Sequence, residues 1–300
     1  METMREIVLQ EMNEQRFSRK HIDAKIRKEI LDNKDMQAKC IEGERLVKEY
    51  MEGTYYASKM ARIAQLENMD VPALVLDIFT GVAYSQRPEL FTSVSAQMAS
   101  RLKFDDKAEA ITTVAELLAV LCRTDAFDIT KEDKQASLML VSCIPLSEQL
   151  VEFIENSQFL PPMVCEPLEL THNFSSGYLT HNDSLILGSG NHHDGSLCLD
   201  VLNTMNKVQF KLDLDFLSTV EEVPTFELDT QAKMDQWAAF KKQSYMMYSL
   251  MAQQGNRFYF TNKVDKRGRI YAMGFHLNPQ GTSFKKSCLE FAKEELVTGV

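Results

Sequence analysis

The chain has 300 residues, 44% of them hydrophobic and 25% charged, with a formal net charge of -10. That length supports one large core or two modest ones, and the apolar share excludes wholesale disorder. The acidic balance excludes a histone-like coat protein, which needs excess Lys and Arg to neutralise phosphates. The charge is unevenly spread: residues 256–300 hold eight cations and four anions, a net of +4, so the preceding 255 residues carry -14. Such asymmetry points to local nucleic-acid contact. The six cysteines are scattered without C-x-x-C spacing, which leaves neither a zinc ribbon nor a disulfide framework. No apolar run approaches the length of a membrane span, and the expected location is the cytoplasm.

The elements, in chain order, predict a fold that is mainly α with a smaller α+β C-terminal part. Residues 1–67 are rich in Glu, Lys, Arg, Gln and Met and lack proline, the composition of long solvated helices. Short amphipathic segments follow through residue 155, punctuated at Pro72, Gly81, Pro88 and Pro145. Within them Ile111, Val114, Leu117, Leu118 and Leu121 fall at helical spacing below the acidic start Asp105-Asp106. We expect a packed helical domain over 1–159, without a phosphate loop or nucleophile motif.

Leu160-Pro161-Pro162-Met163-Val164 marks a boundary, because proline forces extended backbone. Short strand-like pieces follow at 175–179 and 184–187, and the turn containing His192, His193 and Asp194 is a weak metal candidate that turn composition already explains. Residues 196–220 fit both periods: Leu202, Met205, Val208 and Leu212 suit a helix, while Val208, Phe210, Leu212 and Leu214 alternate like a strand. Length favours the helix. These residues belong to a continuation of the N-terminal domain over 160–228.

Over 229–255, Trp237, Phe240, Ser244, Met247, Tyr248 and Met251 trace one face of a long helix that Gly255 stops. Lys233, Lys241 and Lys242 lie elsewhere on its circumference. In 256–300, two aromatic, β-prone stretches, Arg257 to Val264 and Ile270 to Phe275, flank the charged turn Asp265-Lys266-Arg267-Gly268-Arg269. This predicts a hairpin that presents cations at its turn. Gly268 permits a sharp bend or close approach of a ligand. Arg269 offers a planar fork for phosphate, supplemented by Lys266 and Arg267. Asp265 is suited to fixing an arginine, and Tyr271, two residues beyond Arg269, shares its strand face and can stack on a base or sugar.

Asp265-x-x-Gly268-Arg269-x-Tyr271, followed by Asn278-Pro279-Gln280-Gly281 and Cys288 to Lys293, resembles the start of the palm in the single-subunit RNA polymerases of phages and mitochondria. Leu160 to Val164 and Ser176-Gly177-Tyr178-Leu179 resemble segments upstream of the thumb in that family, and residues 230–255 lie where its thumb helices lie. The resemblance implies a right-hand polymerase fold: N-terminal domain, thumb helix at 229–255, and the first part of the palm at 256–300. It also implies contacts from Asp265, Lys266, Arg267, Gly268, Arg269, Tyr271, Asn278 and Gln280 to template and RNA:DNA hybrid, with Lys241 and Lys242 as possible RNA contacts.

In that family the metal-binding aspartates come later than the last residue of this sequence. Two-metal nucleotidyl transfer requires such a pair, and none is recognisable here. The chain thus resembles the smaller subunit of the split polymerases of N-four-like podophages. That likeness implies an independently encoded chain with no catalytic residue or metal of its own. Its second subunit would supply the rest of the palm, the fingers and the bound Mg²⁺. DNA template and RNA product are the implied ligands, with a phage DNA-binding protein as a possible recruitment factor. Residues 145–158 are short and look helical where duplex-opening relatives carry a long hairpin, which implies a preference for single-stranded or pre-opened template. A stand-alone accessory nucleic-acid-binding protein and a truncated one-chain polymerase are the competing readings.

Overall fold

The computed structural model describes residues 2–131, 137–188 and 195–293. The described chain is mainly helical, with three small antiparallel sheets. It divides into two compact units: residues 19–155, and residues 1–18 together with 156–300.

The first unit is a helical cluster built on helices Arg19–Asp32, Lys34–Glu52, Val71–Tyr84 and Lys107–Leu121. Their start points are written in the sequence. The side chains of Asn33, Asp70 and Asp106 each accept hydrogen bonds from backbone N–H groups of the following turn, supplying acceptors that a helix start lacks. Ile22, Ile26 and Ile30 form a buried stripe at i, i+4 and i+8. Gly43 allows close packing: a Cβ there would meet Val75 at 2.9 Å and Leu121 at 3.0 Å. One charged group enters this interior, Arg62. Its guanidinium donates to Thr113 at 3.0 Å and to Glu116 at 2.8 Å, and the Tyr50 hydroxyl donates to the same carboxylate.

The expected all-helical character of this region is corrected at one place. Phe127–Lys131 and Leu138–Ser142 form an antiparallel hairpin, joined at its edge by Glu89–Leu90. Cross-strand pairing such as Ile129 with Leu140 buries Leu140 completely. Residues 145–158 do carry a helix, Glu148–Asn156. The strand-rich element lies immediately before it.

The second unit gathers both ends of the chain. Its core joins Val164, Leu212, Met247, Tyr248, Met251, Phe258 and Phe260 with Ala272, Leu277 and Cys288. A three-stranded sheet runs in the order Phe258–Tyr259, Gln209–Leu212, Leu289–Phe291. The ambiguous 196–220 stretch resolves as helix Leu199–Asn206, strand Gln209–Leu212 and helix Leu214–Thr219. Helical period and strand alternation were therefore both present, in succession. The strand-like pieces at 175–179 and 184–187 form no strands; Ile186 makes a single parallel bridge to Val264. Helix Gln231–Gln253 starts at a Thr230 cap and is followed by Gly255 at φ +109°. Only the C-terminal part of its apolar face is buried, at Ser244, Met247, Tyr248 and Met251.

The first helix, Glu2–Arg16, belongs to this second unit, which chain order alone does not suggest. The reason lies in Glu14, whose carboxylate accepts N–H bonds from Leu179, Thr180 and His181 at 2.6–2.9 Å, and the Thr180 hydroxyl at 2.7 Å. Gln10 adds an acceptor for the Val164 N–H at 2.9 Å.

Candidate nucleic-acid interface

The charged turn lies where the sequence puts it, between strands Asn262–Val264 and Ile270–Ala272 of a two-stranded antiparallel hairpin. Alternation makes this hairpin amphipathic. Val264 and Ile270 turn one face into a small core with Leu170, Leu185 and Leu202. Lys263, Asp265, Arg269 and Tyr271 share the opposite face, since residues paired across strands or two apart along one project to the same side.

Asp265 organises the turn. Its Oδ1 accepts the backbone N–H groups of Arg267 at 2.9 Å and Arg269 at 3.0 Å. Its Oδ2 accepts Arg269 Nε at 2.7 Å, Arg267 Nη2 at 3.3 Å and the Tyr271 hydroxyl at 3.3 Å. Gly268, at φ +82°, closes the bend by donating its N–H to the Asp265 carbonyl at 2.9 Å, a conformation that favours glycine. Desolvation pushes the Asp265 carboxyl up, but the backbone and side-chain hydrogen bonds of Arg269, its charge and the Tyr271 hydroxyl outweigh it and hold the group below the usual aspartate range. The hydrogen bond that Arg269 donates to Asp265 raises the Arg269 value, so both groups stay ionised.

The result is a fixed but accessible cationic turn. The Arg267 and Arg269 side chains are 71% and 54% exposed, whereas Asp265 is 16% exposed. Arg269 also lies 5.7 Å from the centroid of the Tyr271 ring. Lys266 is exposed at the tip. Such a turn can hold a phosphate: the guanidinium groups keep N–H donors beyond those given to Asp265, and the turn carries three cations for one carboxylate.

The other expected contacts sit differently. Asn278 and Gln280 do not form part of the polar face; their side-chain amides bond the backbone of the Ile270–Ala272 strand and of Gly274. Lys241 and Lys242 stand on the Gln231–Gln253 helix, half-buried and exposed respectively, on a separate element from the hairpin. Lys263 was not singled out from the sequence, although the two-residue alternation with Asp265 places it on the polar face. It is largely covered and forms an ion pair with Asp183.

Among the described residues, no group of three or more His, Cys, Asp or Glu side chains is arranged to hold a metal ion. His192, His193 and Asp194 lie outside the described residues. No described helix is long and apolar enough to cross a membrane. An apolar cavity of about 610 Å³ is lined by Phe216, Phe226, Trp237, Phe240, Phe284 and Lys285 among others, none of them in the hairpin.

No family model matches the chain. One curated relative is a polymerase. It is the probable DNA-directed RNA polymerase of Gelasinospora sp. (strain G114), 30% identical over 149 residues. The match takes in 45% of this chain and 17% of the relative, so the chain spans about one sixth of that protein's length.

Proposed function

We propose that the chain is the nucleic-acid-contacting, non-catalytic part of a DNA-directed RNA polymerase. In this reading residues 229–255 serve as a thumb helix and residues 256–300 as the beginning of a palm. The observation that carries it is the Asp265-ordered turn, whose two exposed arginines and Tyr271 offer phosphate and ring contacts to a template strand or RNA:DNA hybrid. The 30% identity over 149 residues to a probable DNA-directed RNA polymerase supports the same class of enzyme. The metal-binding aspartates and their Mg²⁺ belong, in this proposal, to a second chain that completes the palm and fingers within a phage-infected bacterial cytoplasm, with a DNA-binding protein as a candidate recruitment factor.

The test pairs this chain with the polypeptide encoded beside it and follows primer extension on an RNA:DNA scaffold. Extension is expected only from the mixture, and Arg269→Ala is expected to weaken hybrid binding about tenfold and to lower the salt slope by about one. Unchanged extension and salt dependence in that variant remove Arg269 from the site. Tight binding by the isolated chain, with no extension in the mixture, replaces the proposal with a stand-alone nucleic-acid-binding protein.

A further inference from the structure

A hairpin of two three-residue strands is marginal by itself, because each strand leaves an outer row of backbone groups unpaired. Here both edges are closed. On the Asn262–Val264 side, Val264 N–H donates to the Leu185 carbonyl at 2.9 Å, and Leu187 N–H donates to the Val264 carbonyl at 2.8 Å. On the Ile270–Ala272 side no further strand pairs among the described residues. Instead the Gln280 side chain takes a strand's place: its Oε1 accepts the Ala272 N–H at 2.8 Å and its Nε2 donates to the Ile270 carbonyl at 3.1 Å. Asn278 extends the row, donating through Nδ2 to the carbonyls of Ala272 at 3.1 Å and Gly274 at 2.9 Å. Its Oδ1 accepts the Gln280 N–H at 2.8 Å, tying the two amides together.

The strand held this way is the one that carries Arg269 and Tyr271 to the polar face. Residues 269, 271 and 273 turn their backbone groups toward the opposite strand, as the Asp265 N–H to Arg269 carbonyl bond at 2.9 Å and the Met273 N–H to Thr261 carbonyl bond at 2.8 Å show. Residues 270 and 272 therefore face outward, and Gln280 engages both. A glutamine amide matches the donor and acceptor of an exposed strand edge in one planar group.

We infer that Gln280, supported by Asn278, is a positioning residue for phosphate binding by Arg269, acting through the backbone of Ile270–Ala272 and not by touching nucleic acid. This rests on the reading of the turn as a nucleic-acid contact. Charge distinguishes the two roles. A neutral amide that touches the ligand directly displaces no counterions, so its loss weakens binding at an unchanged salt slope. An amide that aims Arg269 lowers the slope when it is lost, because the guanidinium no longer neutralises its phosphate.

The experiment measures binding of the full chain to a labelled RNA:DNA hybrid across a salt series, for Gln280→Ala, Arg269→Ala and the double variant, with amide exchange followed at Ala272. Gln280→Ala is expected to weaken binding three- to tenfold, to reduce the salt slope toward that of Arg269→Ala, to add nothing in the Arg269→Ala background, and to speed exchange at Ala272. Weaker binding at an unchanged slope, additive losses, or unchanged binding beside a functional Arg269 overturns the inference. If Arg269→Ala itself binds normally, the nucleic-acid reading of the turn fails, while exchange at Ala272 still reports whether the amide holds the strand. Asn278→Ala, with both edge bonds of Gln280 left in place, is expected to give a smaller change in the same direction.

Discussion

Asp265 and Arg269 illustrate how a charge pair on the surface serves geometry more than stability. Exposed ion pairs contribute little to folding, but this one also caps two backbone N–H groups of the turn. Asp265→Ala is expected to leave the melting temperature nearly unchanged and to speed amide exchange at Arg267 and Arg269; equal exchange in both proteins contradicts the hub. His276 shows the opposite situation. It is buried beside Phe159, Phe240 and Phe275, at 2.9 Å from the Ser244 hydroxyl. Burial first, and the nearby Lys285 charge second, push its pKa down to about 4. The folded protein therefore binds fewer protons at this group than the unfolded chain does between about pH 6.5 and 4. Its contribution is complete above about pH 6.5 and is lost as pH falls toward 4, on the order of a few kcal/mol. Melting curves of the wild type and His276→Gln across that window check the sign: the wild type alone should carry the extra loss.

At the scale of elements, the Glu14 carboxylate ties the first helix to the rest of its unit, beside the Gln10 bond to Val164 and the paired side-chain amides of Asn13 and Gln254. Desolvation would raise the Glu14 pKa, but the Gln10 and Thr180 side chains and the backbone N–H groups of Leu179 and Thr180 outweigh it, and the value falls below the usual range. Stability from Glu14 is thus present above about pH 4.5 and lost as pH falls through its lowered folded value. Glu14→Ala leaves several part-buried donors without that acceptor, a loss of roughly 1–3 kcal/mol. Urea titration should place that loss in the second unit, with faster exchange at Leu179 and Thr180; a variant as stable as the wild type refutes it. The long Gln231–Gln253 helix is legible from its period and its Gly255 stop. How much of its apolar stripe is covered is not, because that depends on partners drawn from Val164, Leu212 and Phe258.

For the whole molecule, the two units have separate cores, and the chain passes from the second unit into the first and back again. Residues 19–155 should fold as an isolated fragment with a cooperative thermal transition. Residues 19–300, which lack the first helix, should retain that transition while the second unit loses stability. A single coincident transition shifted as a whole in 19–300 contradicts this division. The three parts of one predicted domain illustrate why chain order misleads here: residues 1–18, 19–155 and 156–159 follow one another, yet the first and last pack with the C-terminal residues.

The sequence by itself determined the local matters: the acidic helix start at Asp105-Asp106, the core stripe around Leu117, the stop at Gly255, the hairpin with its charged turn, and the pairing of Asp265 with an arginine. Each depends on residues within a few positions of one another, where period and side-chain chemistry suffice. Only the tertiary structure decided that Glu14 receives the backbone of residues 179–181, that Phe127–Ser142 folds into a hairpin, and that Gln280 and Asn278 support Arg269 from behind rather than joining it on the polar face. Those outcomes depend on which buried donors lack a partner once the chain has closed, and hydrogen-bond satisfaction across distant segments has no period to read.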